Sequence, residues 1–304
     1  MKKKICWMLM FCCFWGLGFF NGVLAQTISD SSPALTLWQL PNQTHSQMMS
    51  YIIKTSNGQV IVIDGGCKGD ADYLIEQIKT ISETGKVDAW FLTHCHFDHV
   101  GAICSILTNK PDALTIEKLY YSFPPQDWLV KNEKSWKGET DKTFDALSQF
   151  KNKSELQLNQ IISFGDDVQI TVLNDFDLSI TKNAINNSCI VLRLETPKTS
   201  ILFLGDLGLE AGNRLMKLQP EEKIRCDVLQ MAHHGQNGVS REFYELAHPR
   251  ICLWPTPDWL WDNDAGKGYG TGPWQTLEVR KWMDELGVKE HYVEKDGLIK
   301  LSFE

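Results

Sequence analysis

The sequence is short of positive charge. Its 30 lysines and arginines face 38 aspartates and glutamates, for a net charge of -8. Sequence-independent capture of nucleic acid relies on basic surface, so an acidic chain is poorly suited to it. A phosphate ester remains accessible as a substrate if a bound cation supplies positive charge locally. Gly/Ser-rich or Pro-rich linkers are absent, as is any repeat of solenoid spacing. Gly 22 and Pro 11 in 304 residues are too few for collagen-like or low-complexity chains. No CxxC pair occurs, and after the first 25 residues no apolar run has membrane-spanning length.

Those first residues are distinctive. Lys2, Lys3 and Lys4 precede an apolar run from Ile5 to Phe20, and Val23-Leu24-Ala25 forms a small-x-small site before Gln26. This is the layout of a secretory signal peptide, with cleavage expected after Ala25. The expectation is a secreted or periplasmic protein with no transmembrane span once the signal is removed. Residues 26–304 would form one domain. Cleavage removes Cys6, Cys12 and Cys13 and leaves Cys67, Cys95, Cys104, Cys189, Cys226 and Cys252. Most of these sit in apolar stretches, where cysteine acts as a small hydrophobe, so few or no disulfides are expected.

Strand signals dominate. Tyr51-Ile52-Ile53 and Val60 to Ile63 flank a Ser-Asn-Gly turn, and Leu74, Ile75, Ile78 and Ile81 recur at helical spacing. A strand over 87–93 runs into His94-Cys95-His96-Phe97-Asp98-His99, followed by a helix from about Val100. Residues 123–140 read as loop, with a short helix around Phe144, Leu147 and Phe150. Strands are expected at 161–164, 168–173, 189–194, 200–204, 227–232 and 250–254, with helices near 209–218, 239–247 and 274–285. A strand pair should close the chain near Phe303. Paired strands in two mixed stretches suggest two sheets face to face with helices outside.

Five of the eight histidines fall in two short clusters, each directly after an expected strand. Imidazole and carboxylate are natural ligands for zinc and similar ions. On an extended turn His94 and His96 point to one side and Cys95 to the other. Asp98 and His99 lie past the bend, within reach of a second ion. Asp206, ending another strand, has two oxygens with which to bridge. Two such ions acidify a shared water to hydroxide and neutralise charge on an attacked centre.

The His94–His99 run matches the HxHxDH signature, and Asp64-Gly65-Gly66 and Gly205-Asp206 match two further motifs, of the metallo-β-lactamase fold superfamily, which the chain resembles from about residue 35 to its end. The resemblance implies an α/β, four-layer αββα sandwich and a metal-dependent hydrolase, without fixing the substrate. Lactamases and glyoxalase-II-type thioesterases of this superfamily carry a third histidine on the first metal, and no histidine stands between His99 and His233. Together with Asn186-Asn187-Ser188 and His233-His234-Gly235, this resembles the branch holding the nuclease-like domain of ComEC-type competence proteins and bacterial-surface phosphorylcholine esterases, which points to phosphodiesters.

Carried onto this chain, the resemblance implies that His94, His96 and Asp206 hold the first of two divalent ions, zinc or alternatively manganese. Asp98, His99, Asp206 and His234 would hold the second. Either of the adjacent histidines could be the ligand; with His234 in that role, His233 becomes catalytic, holding a phosphate oxygen or giving the leaving group a proton. Asp98 is also counted as catalytic, and Asp64 would orient the metal loop from behind. Lacking the third histidine, the first site should be more open and weaker. Asn187 and Ser188 are candidate phosphate contacts, and Trp254 and Trp261 candidate aromatic contacts at the mouth. The expected partner is a small-molecule or surface-polymer phosphodiester, with nucleic acid disfavoured by charge. A lactamase, lactonase or thioesterase, and a metal-dependent binding protein without turnover, stay open as alternatives.

Overall fold

The computed structural model describes residues 33–304. The expected signal peptide and its three cysteines lie outside the described residues.

The first seven-stranded sheet uses β1 (Leu35–Gln39), β2 (Ser50–Thr55), β3 (Val60–Asp64), β5 (Ala89–Phe91), β7 (Leu119–Tyr121), β8 (Lys153–Glu155) and β16 (Ile299–Phe303). A small pair, β4 (Lys86–Val87) and β6 (Thr115–Ile116), stands beside it. The second sheet uses β9 (Ile161–Phe164), β10 (Val168–Asn174), β11 (Val191–Glu195), β12 (Ser200–Phe203), β13 (Val228–Gln230), β14 (Ile251–Trp254) and β15 (Glu290–Val293). The first runs β16-β1-β2-β3-β5-β7-β8 and the second β15-β14-β13-β12-β11-β10-β9. Each is part antiparallel and part parallel. β3, β5, β7 and β8 are parallel in the first, and β12 to β15 in the second.

Alternation along the strands divides their side chains among three apolar layers. Leu35, Leu37, Tyr51, Ile53, Ile61, Ile63 and Phe91 meet Ile170, Val172, Leu192, Phe203, Val228 and Leu253 between the sheets. The opposite faces are covered by helices. Ile52, Val62 and Trp90 pack under helices Ala71–Ser82 and Phe97–Asn109. Val191, Leu202, Leu229 and Trp254 pack under helices Leu209–Leu218, Arg241–Ala247 and Thr276–Glu285. This is the αββα sandwich.

Several local expectations need correction. Residues 126–149 are largely helical, with helices Gln126–Asn132 and Lys137–Gln149. The helix after the histidine motif begins at Phe97, so Asp98 and His99 sit in its first turn. The two closing strands do not pair with each other. A 3-10 turn at Glu294–Asp296 and Gly297, at φ 99, separate β15, which joins β14, from β16, which joins β1. The strand over 87–93 is broken into β4 and β5. Helix Ala71–Ser82 stops on a left-handed Glu83 (φ 65).

No helix of the described residues is long and apolar enough to cross a membrane. The six cysteines in them are free.

Candidate metal centre

Parallel strands deliver their carboxyl ends to one edge, and that is where ligands gather in α/β sheets. Asp64 ends β3, His94 follows β5, Asp206 follows β12, His233 and His234 follow β13, and Pro255 follows β14. Side-chain hydrogen bonds shape these turns. Gln230 in β13 accepts from the Leu204 and Gly205 backbone N–H groups (2.7 and 2.8 Å) and donates to the Gly205 carbonyl (3.1 Å). This fixes the bend into Asp206. His233 and His234 are both in the left-handed region (φ 50 and 55), which is costly for residues with a Cβ. The double turn aims two sequence neighbours in different directions.

The tautomers follow from donor counting. Thr93 Oγ1 donates its only hydrogen to Asp64 Oδ2 (2.6 Å), so it accepts from His94 Nδ1 (3.1 Å). His99 Nδ1 donates to Asp64 Oδ2 (2.7 Å), and His234 Nδ1 to the Pro255 carbonyl (2.8 Å). In its neutral form each ring therefore carries its proton on Nδ1 and turns a bare Nε2 inward. Asp64 also accepts from the Thr93 backbone N–H (2.8 Å), so one buried carboxylate holds the loop and two rings, His94 through the Thr93 hydroxyl.

The inward atoms form two groups that share Asp206. His94, His96 and Asp206 make one; Asp98, His99, Asp206 and His234 make the other. In each group the ligand atoms lie within 4.8 Å of one another. His94 Nε2 and His96 Nδ1 converge to 3.1 Å. His99 Nε2 is 3.1 Å and His234 Nε2 is 3.5 Å from Asp206 Oδ1, and His234 Nε2 is 3.3 Å from Asp98 Oδ2. His99 Nε2, His234 Nε2 and Asp206 Oδ1 are buried with no hydrogen-bond partner. Leaving such groups unpaired costs about 1–3 kcal/mol each. A divalent cation would satisfy all three, and the nitrogen-plus-carboxylate set suits zinc.

The electrostatics agree with that need. Burial holds His94 well below the usual imidazole range and pushes His96 down to about 4, so both keep a lone pair. Burial works in the same direction on His99 and His234, but the Asp206 charge, joined by Asp64 and Asp98, outweighs it and raises them. Burial alone would raise Asp206, yet His99, His234 and His233 hold it well below the carboxylate range. These carboxylates draw positive charge into a dry pocket.

His233 stands at the edge of this cluster, its side chain 20% exposed and its Nε2 3.7 Å from Asp206 Oδ2. Four substrate candidates are placed elsewhere. Asn187 pins a helix start: its Oδ1 accepts from Ala211 N–H (3.0 Å), and its Nδ2 donates to the Lys182 carbonyl and Glu210. Ser188 is buried and donates to the Ile185 carbonyl (2.6 Å). Trp254 is fully buried, part of β14 rather than a mouth loop, and would lie under any Cβ at Gly235. Trp261 packs edge-on against Trp254 (5.3 Å), with the Arg280 guanidinium 3.9 Å over its ring. His45 is exposed.

Other residues stand where those were expected. Asn186 Nδ2 faces His233 Nε2 at 3.3 Å. Trp136 lies 4.8 Å from the His96 ring and stacks on Phe97. Gln236 and Gln47 meet at 3.4 Å beside the histidine turn. Asn186 belonged to the polar triplet already singled out in the sequence; Trp136 was hidden in a segment read as loop.

The model of the metallo-beta-lactamase superfamily matches residues 45–248. Over 170 residues, 55% of the chain, the sequence is 30% identical to ComE operon protein 3 of Bacillus subtilis, and it spans about a fifth (20%) of that protein's length. Among solved structures it is similar to YhfI of Bacillus subtilis, a metallo-beta-lactamase fold protein, with a TM-score of 0.52 and 14% identity, covering 88% of this chain and 100% of that one. The ordered motifs, the sandwich and the converging histidines and aspartates have one common reading: this chain belongs to the metallo-beta-lactamase superfamily, as a hydrolase-fold protein with a candidate two-metal site.

Proposed function

We propose that the protein is an exported phosphodiesterase dependent on two divalent cations, zinc or manganese. The observation that carries this reading is the make-up of the first ligand group. Among the described residues it contains two histidines and the shared Asp206, with no third histidine. That leaves room for a non-bridging phosphate oxygen. Likeness to ComE operon protein 3 supports the same branch.

In this reading His94, His96 and Asp206 hold one ion and Asp98, His99, Asp206 and His234 the other. When bound, the ions would acidify a water and offset the charge that grows on the phosphoryl oxygens. Asp64 keeps the His99 and His94 rings in their working tautomers. Asp98 meets His234 and closes the second group. His233 Nε2 takes up the proton given up as water attacks, and passes it to the departing oxygen. One P–O bond forms, one breaks, and the products are a monoester and an alcohol.

Zinc- or manganese-loaded protein should hydrolyse bis(p-nitrophenyl) phosphate, and Asp206→Ala should abolish this. Hydrolysis of nitrocefin or a lactone with phosphodiesters untouched would overturn the substrate assignment. Tight ligand binding without product would overturn catalysis. Export rests on the composition of residues 1–25; a mature N terminus at Gln26 in the secreted fraction tests it.

A further inference from the structure

Asn186 opens a 3-10 turn, Asn186–Ser188, that leads into β11. Its neighbours hold the turn in place. Asn187 ties it to Ala211, Lys182 and Glu210, Ser188 bonds back to Ile185, and the Cys189 N–H donates to the Asn186 carbonyl (3.1 Å). The Asn186 side chain is left out of this scaffold. It is 3% exposed, it places Nδ2 3.3 Å from His233 Nε2, and its Oδ1 is buried with no partner. A buried amide oxygen without a partner is costly, and native proteins keep such groups where they have a use.

The His233 ring is held from both ends. Nδ1 lies 2.9 Å from the Asn237 carbonyl, an acceptor only, so Nδ1 carries the proton. Nε2 is then bare and accepts from Asn186 Nδ2. In this orientation Nε2 also lies on the Asp206 side of the pocket, 3.7 Å from Oδ2.

We propose that Asn186 is the positioning residue for His233: its amide donor at Nε2, together with the Asn237 carbonyl at Nδ1, fixes the ring orientation and the Nδ1–H tautomer, which leave Nε2 unprotonated and able to carry a proton between attacking water and departing oxygen. The proposal rests on the phosphodiesterase reading for the identity of the reaction. Once Nε2 has taken up a proton, a half-turn of the amide offers it Oδ1, the atom without a partner at rest. The Asn237 carbonyl holds only the Nδ1 end, and without the Asn186 donor nothing at Nε2 disfavours a proton there. Asn186 touches neither ligand group, so its loss should leave metal content alone.

The test uses the full metal-loaded protein and three variants, Asn186→Ala, His233→Ala and the double variant. Two diesters are compared: bis(p-nitrophenyl) phosphate, whose aryl oxide leaves without a proton, and glycerophosphocholine, whose alkoxide needs one. Asn186→Ala should lower kcat on the alkyl diester about tenfold to a hundredfold, within the range of general acid–base effects. The loss on the aryl diester should be at least tenfold smaller, with KM nearly unchanged. The double variant should be no worse than His233→Ala, because the two act as one unit. Asn186→Asp, which offers Nε2 an acceptor in place of the amide donor, should not recover the loss. The second readout needs no turnover. Ring-nitrogen shifts of labelled His233 should report a single Nδ1–H tautomer in the unaltered protein and a mixture in Asn186→Ala. Equal losses on both diesters, additive losses in the double variant, a changed metal content, or an unchanged tautomer would each overturn the proposal. If the unaltered protein cleaves neither diester, the functional reading fails, and the tautomer measurement alone decides the role of Asn186.

Discussion

Replacing Asp64 by asparagine tests how one oxygen behind the metal centre sets the tautomers of its ligands. The backbone tolerates the change, because Asp64 sits at φ 54 and asparagine populates that region as readily as aspartate. Shape and volume are conserved. What changes is the acceptor count. The carboxylate takes three hydrogen bonds, from Thr93 N–H (2.8 Å), Thr93 Oγ1 (2.6 Å) and His99 Nδ1 (2.7 Å). The amide keeps one oxygen, which the Thr93 N–H claims, and presents an NH2 group to the other two. Thr93 Oγ1 adapts by rotating its hydrogen. His99 can adapt only by giving up the Nδ1 proton and carrying it on Nε2, the atom 3.1 Å from Asp206 Oδ1 that should bind the ion. Partners behind a metal ligand are worth about 10- to 100-fold in affinity, or about 1.4–2.7 kcal/mol. Asp64→Asn should therefore lose about that much at the second site, and the His94–His96 site should weaken as well, because the Thr93 hydrogen no longer held by Asp64 can turn toward His94 Nδ1. Competition with a chromogenic zinc chelator resolves the two affinities. If the variant binds two ions as tightly as the parent, Asp64 does not govern the His99 tautomer and the derivation fails.

Chelation should lower the melting temperature. An ion at 100 times its dissociation constant contributes about 2.7 kcal/mol, so each emptied site should cost roughly 5–10 °C in a domain of this size; an unmoved midpoint in scanning fluorimetry would contradict the site. Glu294 is fully buried, with one oxygen taking the Asn42 N–H (2.8 Å) and the other unpaired. Burial, then the Asp70 and Asp98 charges, hold its carboxyl well above the usual range. The native state thus binds this proton when the unfolded chain has lost it, and stability falls by up to about 1.4 kcal/mol per pH unit above the ordinary carboxylate value. In metal-free protein Glu294→Gln should raise the midpoint at pH 7 and lose that advantage by about pH 4; an equal effect at both would exclude the linkage. Gly235→Ala should destabilise by about 1–3 kcal/mol in denaturant titration, because at φ 75 its Cβ would fall 2.4 Å from the Trp254 ring; a neutral result would mean that the histidine turn can shift off its tryptophan floor.

The metal-centre geometry was largely legible because its residues follow strands. Alternation sends His94 inward and Cys95 into the apolar layer, where it is 2% exposed. The Asn186–Ser188 triplet was not legible in the same way. In a 3-10 turn the side-chain directions depend on the entry angle of the chain, and the two residues first favoured face the scaffold. Trp254 shows the opposite difficulty. A tryptophan beside a polar loop reads as a mouth residue, but its place at the end of β14 sends the indole under the helices. The helices at 126–149 were masked by Pro124-Pro125 and a dense set of charges. Their apolar stripe (Leu129, Thr140, Thr143, Leu147) includes threonines, which weaken the periodic signal. The separation of β15 from β16 depends on pairing with distant strands, and proximity in sequence favours the wrong partner.

The donors are split between the two halves of the sandwich. His94, His96, Asp98 and His99 follow the first sheet, while Asp206, His233 and His234 follow the second. An ion seated there works as a rivet through the seam. Neither half supplies a whole ligand group alone, so neither site can be completed until both halves of the chain have folded against each other.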